Sequence, residues 1–141
     1  MKKGGLKVNI AFIAHDKKKE LMAQLCIAYK GILSKHKLYA TDGTGKVITE
    51  STGLEVYRFL PGRHGGDQQI AARVAYNEID LVLFFRDSVG AESYEPDMST
   101  IMKHCDANNI PIATNLATAE VLIRGIERGD LDWRDIVNPK N

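Results

Sequence analysis

The sequence predicts an α/β fold: one domain, residues 1–141, built on a doubly wound, mostly parallel five-stranded sheet with helices on both faces. Three observations lead there. Short apolar runs alternate with stretches of helical period from one end of the chain to the other. Several runs, such as Leu81–Phe85, are apolar at every position, as strands covered on both sides must be. No internal repeat, linker or low-complexity stretch divides the chain.

The elements follow in order. "VNIAFIA" (8–14) reads as the first strand, and Leu21, Leu25, Ala28 and Ile32 mark the helix after it. "LYAT" (38–41) is the second strand, with a short helix after Gly45. "LEVYRFL" (54–60) is the third; a helix starting near Asp67 then turns Ile70, Ala71, Val74 and Ala75 inward. "DLVLFF" (80–85) is the fourth. Met98, Ile101, Met102 and Cys105 repeat at i, i+3, i+4, i+7, with Pro96 suited to the first turn of their helix. "IPIAT" (110–114) is the fifth strand, and Ala119, Leu122, Ile123 and Ile126 form the last helical face.

Bulk composition narrows the function. A chain of 141 residues buries about two-thirds of its unfolded surface. A net charge of +1 argues against nucleic-acid and membrane partners. No apolar run nears the roughly 20 residues that span a bilayer. Asn9 interrupts the apolar part of the basic start and His15-Asp16 follows it, so no signal peptide is expected. Cys26 and Cys105 stand singly in helical patterns, which suits buried thiols in a reducing cytoplasm. His36, His64 and His104 lack ligand spacing, so no metal is expected.

In open α/β sheets ligands bind outside the carboxyl ends of the strands. Those ends collect His15-Asp16, Thr41 to Gly45, Pro61 to Asp67, Arg86-Asp87 with the loop to Asp97, and Thr114-Asn115. "ATDGTGKV" (40–47) opens a helix whose amides suit a phosphate, although an ordinary strand-to-helix turn accounts for it equally. Asp42 works against an anion there unless its side chain turns away. His15 and Lys19, four apart, share one side of a helix and suit a phosphate. Asp67 has two readings: a helix cap, or a base reached past Gly65 and Gly66. Asp97 shares the first of these. Four carboxylates on one rim (Asp16, Asp67, Asp87 and Asp97) repel, so at least one must be held by hydrogen bonds or protonated. A phosphorelay receiver would want an Asp after the third strand and a Lys after the fifth, and neither is present.

With "AHDKKK", "GGDQQ", "EPD" and "IPIATNLATAE" in this order, the chain resembles bacterial methylglyoxal synthases over about Val8 to Ile136. The resemblance implies a phospho-lyase that turns dihydroxyacetone phosphate into methylglyoxal and inorganic phosphate through an enediolate. It implies no cofactor, a cytoplasmic setting and a homohexamer, with phosphate as product and inhibitor. It implies Asp67 as catalytic base and Asp97 as assisting carboxylate. His15, Lys19, Thr41, Thr44 and Gly62 would be the substrate and phosphate contacts, with Asp42, Gly43 and Pro61 in the same pocket. Asp16, Gly65, Gly66 and Asp87 would support them.

Departures from the family pattern fall in that pocket. "SYEPD" puts Tyr94 where the family has a histidine that shuttles protons. A phenol with a pKa near 10 donates a hydrogen bond but exchanges protons slowly near pH 7. Pro61 replaces a phosphate-contacting serine and offers neither hydroxyl nor N–H. Asp42-Gly43 replaces a Gly-Thr pair, and Asp87-Ser88-Val89 an Asp-Pro-Leu. The alternative function is a non-catalytic phosphate- or metabolite-sensing module, like the similar allosteric domain of carbamoyl phosphate synthetase.

Overall fold

A computed structural model describes residues 6–87 and 98–140. Five parallel strands form one sheet in the order β3-β2-β1-β4-β5. They are β1 (Asn9–Ala14), β2 (Lys37–Ala40), β3 (Tyr57–Arg58), β4 (Leu81–Phe85) and β5 (Ile112–Ala113). The helices are α1 (Lys19–Ala28), α2 (Lys30–Leu33), α3 (Asp42–Thr52), α4 (Gly66–Ala75), α5 (Met98–Asn108), α6 (Leu116–Arg128) and α7 (Trp133–Val137).

The strands that read as apolar on both faces are covered on both. Ile10 and Phe12 of β1 and Leu81, Leu83 and Phe85 of β4 pack with Met22, Leu25, Ile48 and Ile123 from α1, α3 and α6. Ala11, Ile13, Val82 and Phe84 pack with Ile70, Val74, Ile101 and Cys105 from α4 and α5. The period-2 alternation of a strand thus feeds two separate cores. Burial pushes the thiols of Cys26 and Cys105 up to about 12, and neither forms a disulfide.

Five sequence expectations are revised. The first helix breaks at Tyr29, whose hydroxyl donates to the Glu120 carboxylate on α6 at 2.9 Å. Its inward face is Met22, Ala23, Leu25 and Cys26, while Ala28 is exposed. Met102 and Ala75 also lie exposed, off the faces assigned to them. The helix expected after Gly45 begins at Asp42 and runs 11 residues, glycines included. The 54–60 segment pairs as a strand only at Tyr57–Arg58, because β3 is an edge with one neighbour.

Helix α7, unforeseen in the sequence, is fastened to the amino ends of the strands. The buried Arg134 donates to Asp80 at 2.7 Å, to the Asn77 side chain at 2.6 Å and to the Asn108 carbonyl at 3.1 Å. Asp80 also accepts from Lys140 at 2.6 Å and from the Asn9 backbone N–H at 2.8 Å.

Candidate active site

The chain turns at the carboxyl end of β1 because Ala14 is followed by His15, which caps a 3₁₀ turn over Asp16–Lys18. His15 Nδ1 accepts the Lys17 backbone N–H at 3.1 Å, and the His15 backbone N–H donates to the Phe85 carbonyl at 2.8 Å. An imidazole that accepts at Nδ1 carries its neutral-form proton on Nε2. The ring is therefore oriented as a donor at Nε2.

Lys19 opens α1 and bends back, its Nζ donating to the Ala14 carbonyl at 3.2 Å and pairing with Asp16 at 2.5 Å. Its stem lies across the start of α3: a Cβ on Gly43 would stand 2.9 Å from Lys19 Cε. Gly43 is thus the room that Lys19 needs. Thr41 precedes α3 without capping it, and helix geometry leaves the Gly43 and Thr44 amides with no intrahelical acceptor.

These groups converge. His15, Asp16, Lys19, Thr41, Gly43, Pro61, Gly62 and Arg63 line one cavity of about 180 Å³ with Ile13 and Ala14, at the carboxyl ends of β1, β2 and β3. Seven of these were named from the sequence; Arg63 was missed. Its only available signal was its place on the same rim, between Gly62 and Gly65. The Lys19 hydrogen bond and charge, with help from Arg63 and His15, hold the Asp16 carboxyl below its usual range.

Other expected residues sit elsewhere. Asp42 does not line the cavity: Arg58 clamps its carboxylate through Nε at 3.0 Å and Nη2 at 2.8 Å. Its N–H donates to the Leu60 carbonyl at 3.3 Å, so neither group is aimed at an anion. Thr44 is buried behind the wall; its hydroxyl accepts from the Ala14 N–H at 3.1 Å and from Thr41 at 3.2 Å. Pro61 lines the cavity with its ring, and its carbonyl accepts from His64 and Gly66. Asp87 pairs with Lys17 at 3.7 Å. Of the rim carboxylates expected to repel, Asp16 and Asp87 each have a cation, as Asp42 does, whereas Asp67 accepts a backbone N–H. Tyr94 and Asp97, with Ser88, Val89 and Pro96, lie outside the described residues.

The paired glycines have a backbone explanation. Gly65 takes φ +98°, a left-handed conformation, to leave the 3₁₀ turn at Gly62–His64 and start α4. Gly66 lies against the preceding strand end, where an added Cβ would fall 1.8 Å from the Leu60 carbonyl oxygen. Asp67 is then not the cap, since Gly65 holds that position; it is the second residue of the first turn. It is buried, one oxygen accepting the Gln68 N–H at 3.1 Å and the other without a hydrogen-bond partner among the described residues. Asp67 borders a neighbouring cavity of about 370 Å³ with Gln68, Ala71, Ala72, Thr100 and His104, rather than the cationic one. Pro61, Gly62 and Arg63 line the first cavity, and the chain reaches the helix that carries Asp67 three residues later. Among the described residues, no three His, Cys, Asp or Glu side chains converge on a metal-sized point.

Comparison with known proteins gives one consistent answer. Residues 22–114 match the MGS-like domain family. Methylglyoxal synthase of Caldicellulosiruptor saccharolyticus is 64% identical over 133 residues, 94% of either chain. That of Listeria welshimeri is 55% identical over 129 residues, 92% of this chain and 96% of its own. The crystal structure of methylglyoxal synthase from Elizabethkingia anophelis superposes with a TM-score of 0.81 at 37% identity, covering 86% of this chain and 81% of its own.

Proposed function

Because the chain belongs to the methylglyoxal synthase family, we propose that it is a phospho-lyase converting dihydroxyacetone phosphate to methylglyoxal and inorganic phosphate. One observation carries the assignment to the site: His15, Lys19, Thr41, Gly43 and Gly62, scattered over three strand ends, share one small cationic cavity. A phosphate held there meets the Lys19 ammonium and the first-turn amides of α3, whose helix dipole favours an anion, while the His15 Nε2–H is left for the rest of the substrate.

Asp67 is the base. An oxygen without a hydrogen-bond partner among the described residues, on a carboxylate held through its other oxygen, is placed to take a proton. It removes one from the hydroxymethyl carbon, and the electrons move into the ketone to give an enediolate. Collapse of the enediolate breaks the carbon–oxygen bond to phosphate, and the released enol ketonises to methylglyoxal. Elimination needs that bond out of the enediolate plane, where it overlaps the π system; Lys19 and the start of α3 hold the phosphate to that geometry. Donors near the developing oxyanion stabilise it. His15 is one; Tyr94 and Asp97 we assign as the phenol donor and the assisting carboxylate. No observation favours a non-catalytic module.

We further infer a cytoplasmic homohexamer in which released phosphate competes with substrate, a reading supported by the chain's likeness to methylglyoxal synthases. No helix among the described residues is long and apolar enough to cross a membrane.

The test is direct. Purified protein given dihydroxyacetone phosphate should release phosphate and methylglyoxal in equal amounts, and Asp67→Asn should lower the rate at least ~10²-fold. No product from the natural chain rejects the activity; an unimpaired Asp67→Asn rejects the base.

A further inference from the structure

We propose that Arg63 is a second cationic ligand for the substrate's phosphate, and that Asp16 occupies the phosphate's place between Arg63 and Lys19 until substrate displaces it. The proposal rests on the phospho-lyase reading and adds a residue and an exchange to it. Arg63 lines the same cavity as Lys19, next to Gly62 in the chain. The two cations meet on one carboxylate: Lys19 Nζ lies 2.5 Å from Asp16 Oδ1, and Arg63 Nη2 lies 3.9 Å from Asp16 Oδ2.

Two features mark that carboxylate as replaceable. A dianionic phosphate ester brings twice the charge of the one carboxylate that Lys19 and Arg63 share. The Asp16 side chain is 71% exposed, so turning it into water costs little desolvation. Arg63 is also the only side-chain donor that the Pro61–Arg63 wall presents, since Pro61 has no N–H and Gly62 no side chain. A guanidinium takes two phosphate oxygens at once in its planar fork, which an ammonium does not. Arg63 therefore favours a dianionic phosphate over a monoanion of similar size.

The experiment measures steady-state kinetics with dihydroxyacetone phosphate and, separately, calorimetric binding of inorganic phosphate. Arg63→Met should raise KM and weaken phosphate binding by about tenfold each, with kcat changed much less. Arg63→Lys should recover part of both losses. Asp16→Asn should tighten phosphate binding, because the competing charge is gone. Lys35→Met, at a surface lysine paired with Glu127, serves as the unaffected control. If the natural enzyme turns over and Arg63→Met leaves both KM and phosphate binding unchanged, the proposal fails while the phospho-lyase reading stands. Weaker phosphate binding in Asp16→Asn overturns the exchange. A natural chain that binds phosphate but makes no methylglyoxal overturns the reading beneath both.

Discussion

A methyl group built on Gly43 would stand 2.9 Å from Lys19 Cε and 3.6 Å from its Nζ. Ordinary contact between such carbons begins near 3.4 Å, so in Gly43→Ala the end of the lysine must retreat by about half an ångström or more. The retreat pulls Nζ off the Ala14 carbonyl and away from the amides of α3. A charge-assisted contact to phosphate is worth about 1.5–3 kcal/mol, so losing it lowers kcat/KM by roughly 10- to 150-fold. Partial relaxation of the side chain puts the expected fall near the lower end. Folding should respond in the other direction. Gly43 is inside a helix, where alanine is better by at most about 1 kcal/mol, and the atom in the way is the far end of a flexible chain. The Tm should therefore stay level or rise by up to about 3 °C. The assay pairs thermal denaturation with initial rates on dihydroxyacetone phosphate. An unchanged kcat/KM would refute the claim that Gly43 makes room for the phosphate-binding lysine. A Tm lowered by more than about 4 °C would show that the lysine does not absorb the clash.

Gly66→Ala meets a rigid neighbour instead, a backbone carbonyl at 1.8 Å, and should destabilise by about 1–3 kcal/mol or more, read from the urea midpoint. Arg134→Met removes the main partner of buried Asp80 and should cost about 3–5 kcal/mol by the same measurement, with Asp80→Asn added to it recovering part of the loss. Burial holds the His36 imidazole below its usual range near 6.5, its Nδ1 accepting the Val8 N–H at 3.0 Å and its Nε2 buried without a partner among the described residues. The unfolded chain then takes up a proton that the folded one resists, so His36 costs nothing above about pH 6.5 and lowers stability as the pH falls below it. Urea titrations between pH 7 and 5 should show that loss in the natural chain and a flatter profile in His36→Gln; parallel profiles would remove His36 as the cause.

The sheet was legible because its strands declare two buried faces: Leu81–Phe85 needs cover on both sides whatever its neighbours are. The rim was legible because fold class alone says where ligands sit, and His15, Lys19 and Thr41 fall there. What escaped depends on partners distant in the chain. "DGTG" looks like a loop until Lys19 and Arg58 are seen lying where the two side chains would be. Asp42 looks like an obstacle to phosphate until Arg58 neutralises it from β3. Arg63 gains meaning only through Asp16, on another strand end. The glycine pair before Asp67 reads in the sequence as access for a substrate; the carbonyl of Leu60 and a left-handed turn add a backbone requirement that the sequence does not display.

Arg134 and Lys140 reach Asp80, which leads into the interior strand β4, from far downstream in the sequence. During synthesis β4 emerges well before either cation, so for that interval its neighbouring carboxylate must remain hydrated. That contact cannot form until residues 133–140 are available, so this side of the sheet is completed only after all five strands have been made. Damage to residues 133–140 would thus be felt at the foot of β4, remote in sequence from where it occurs.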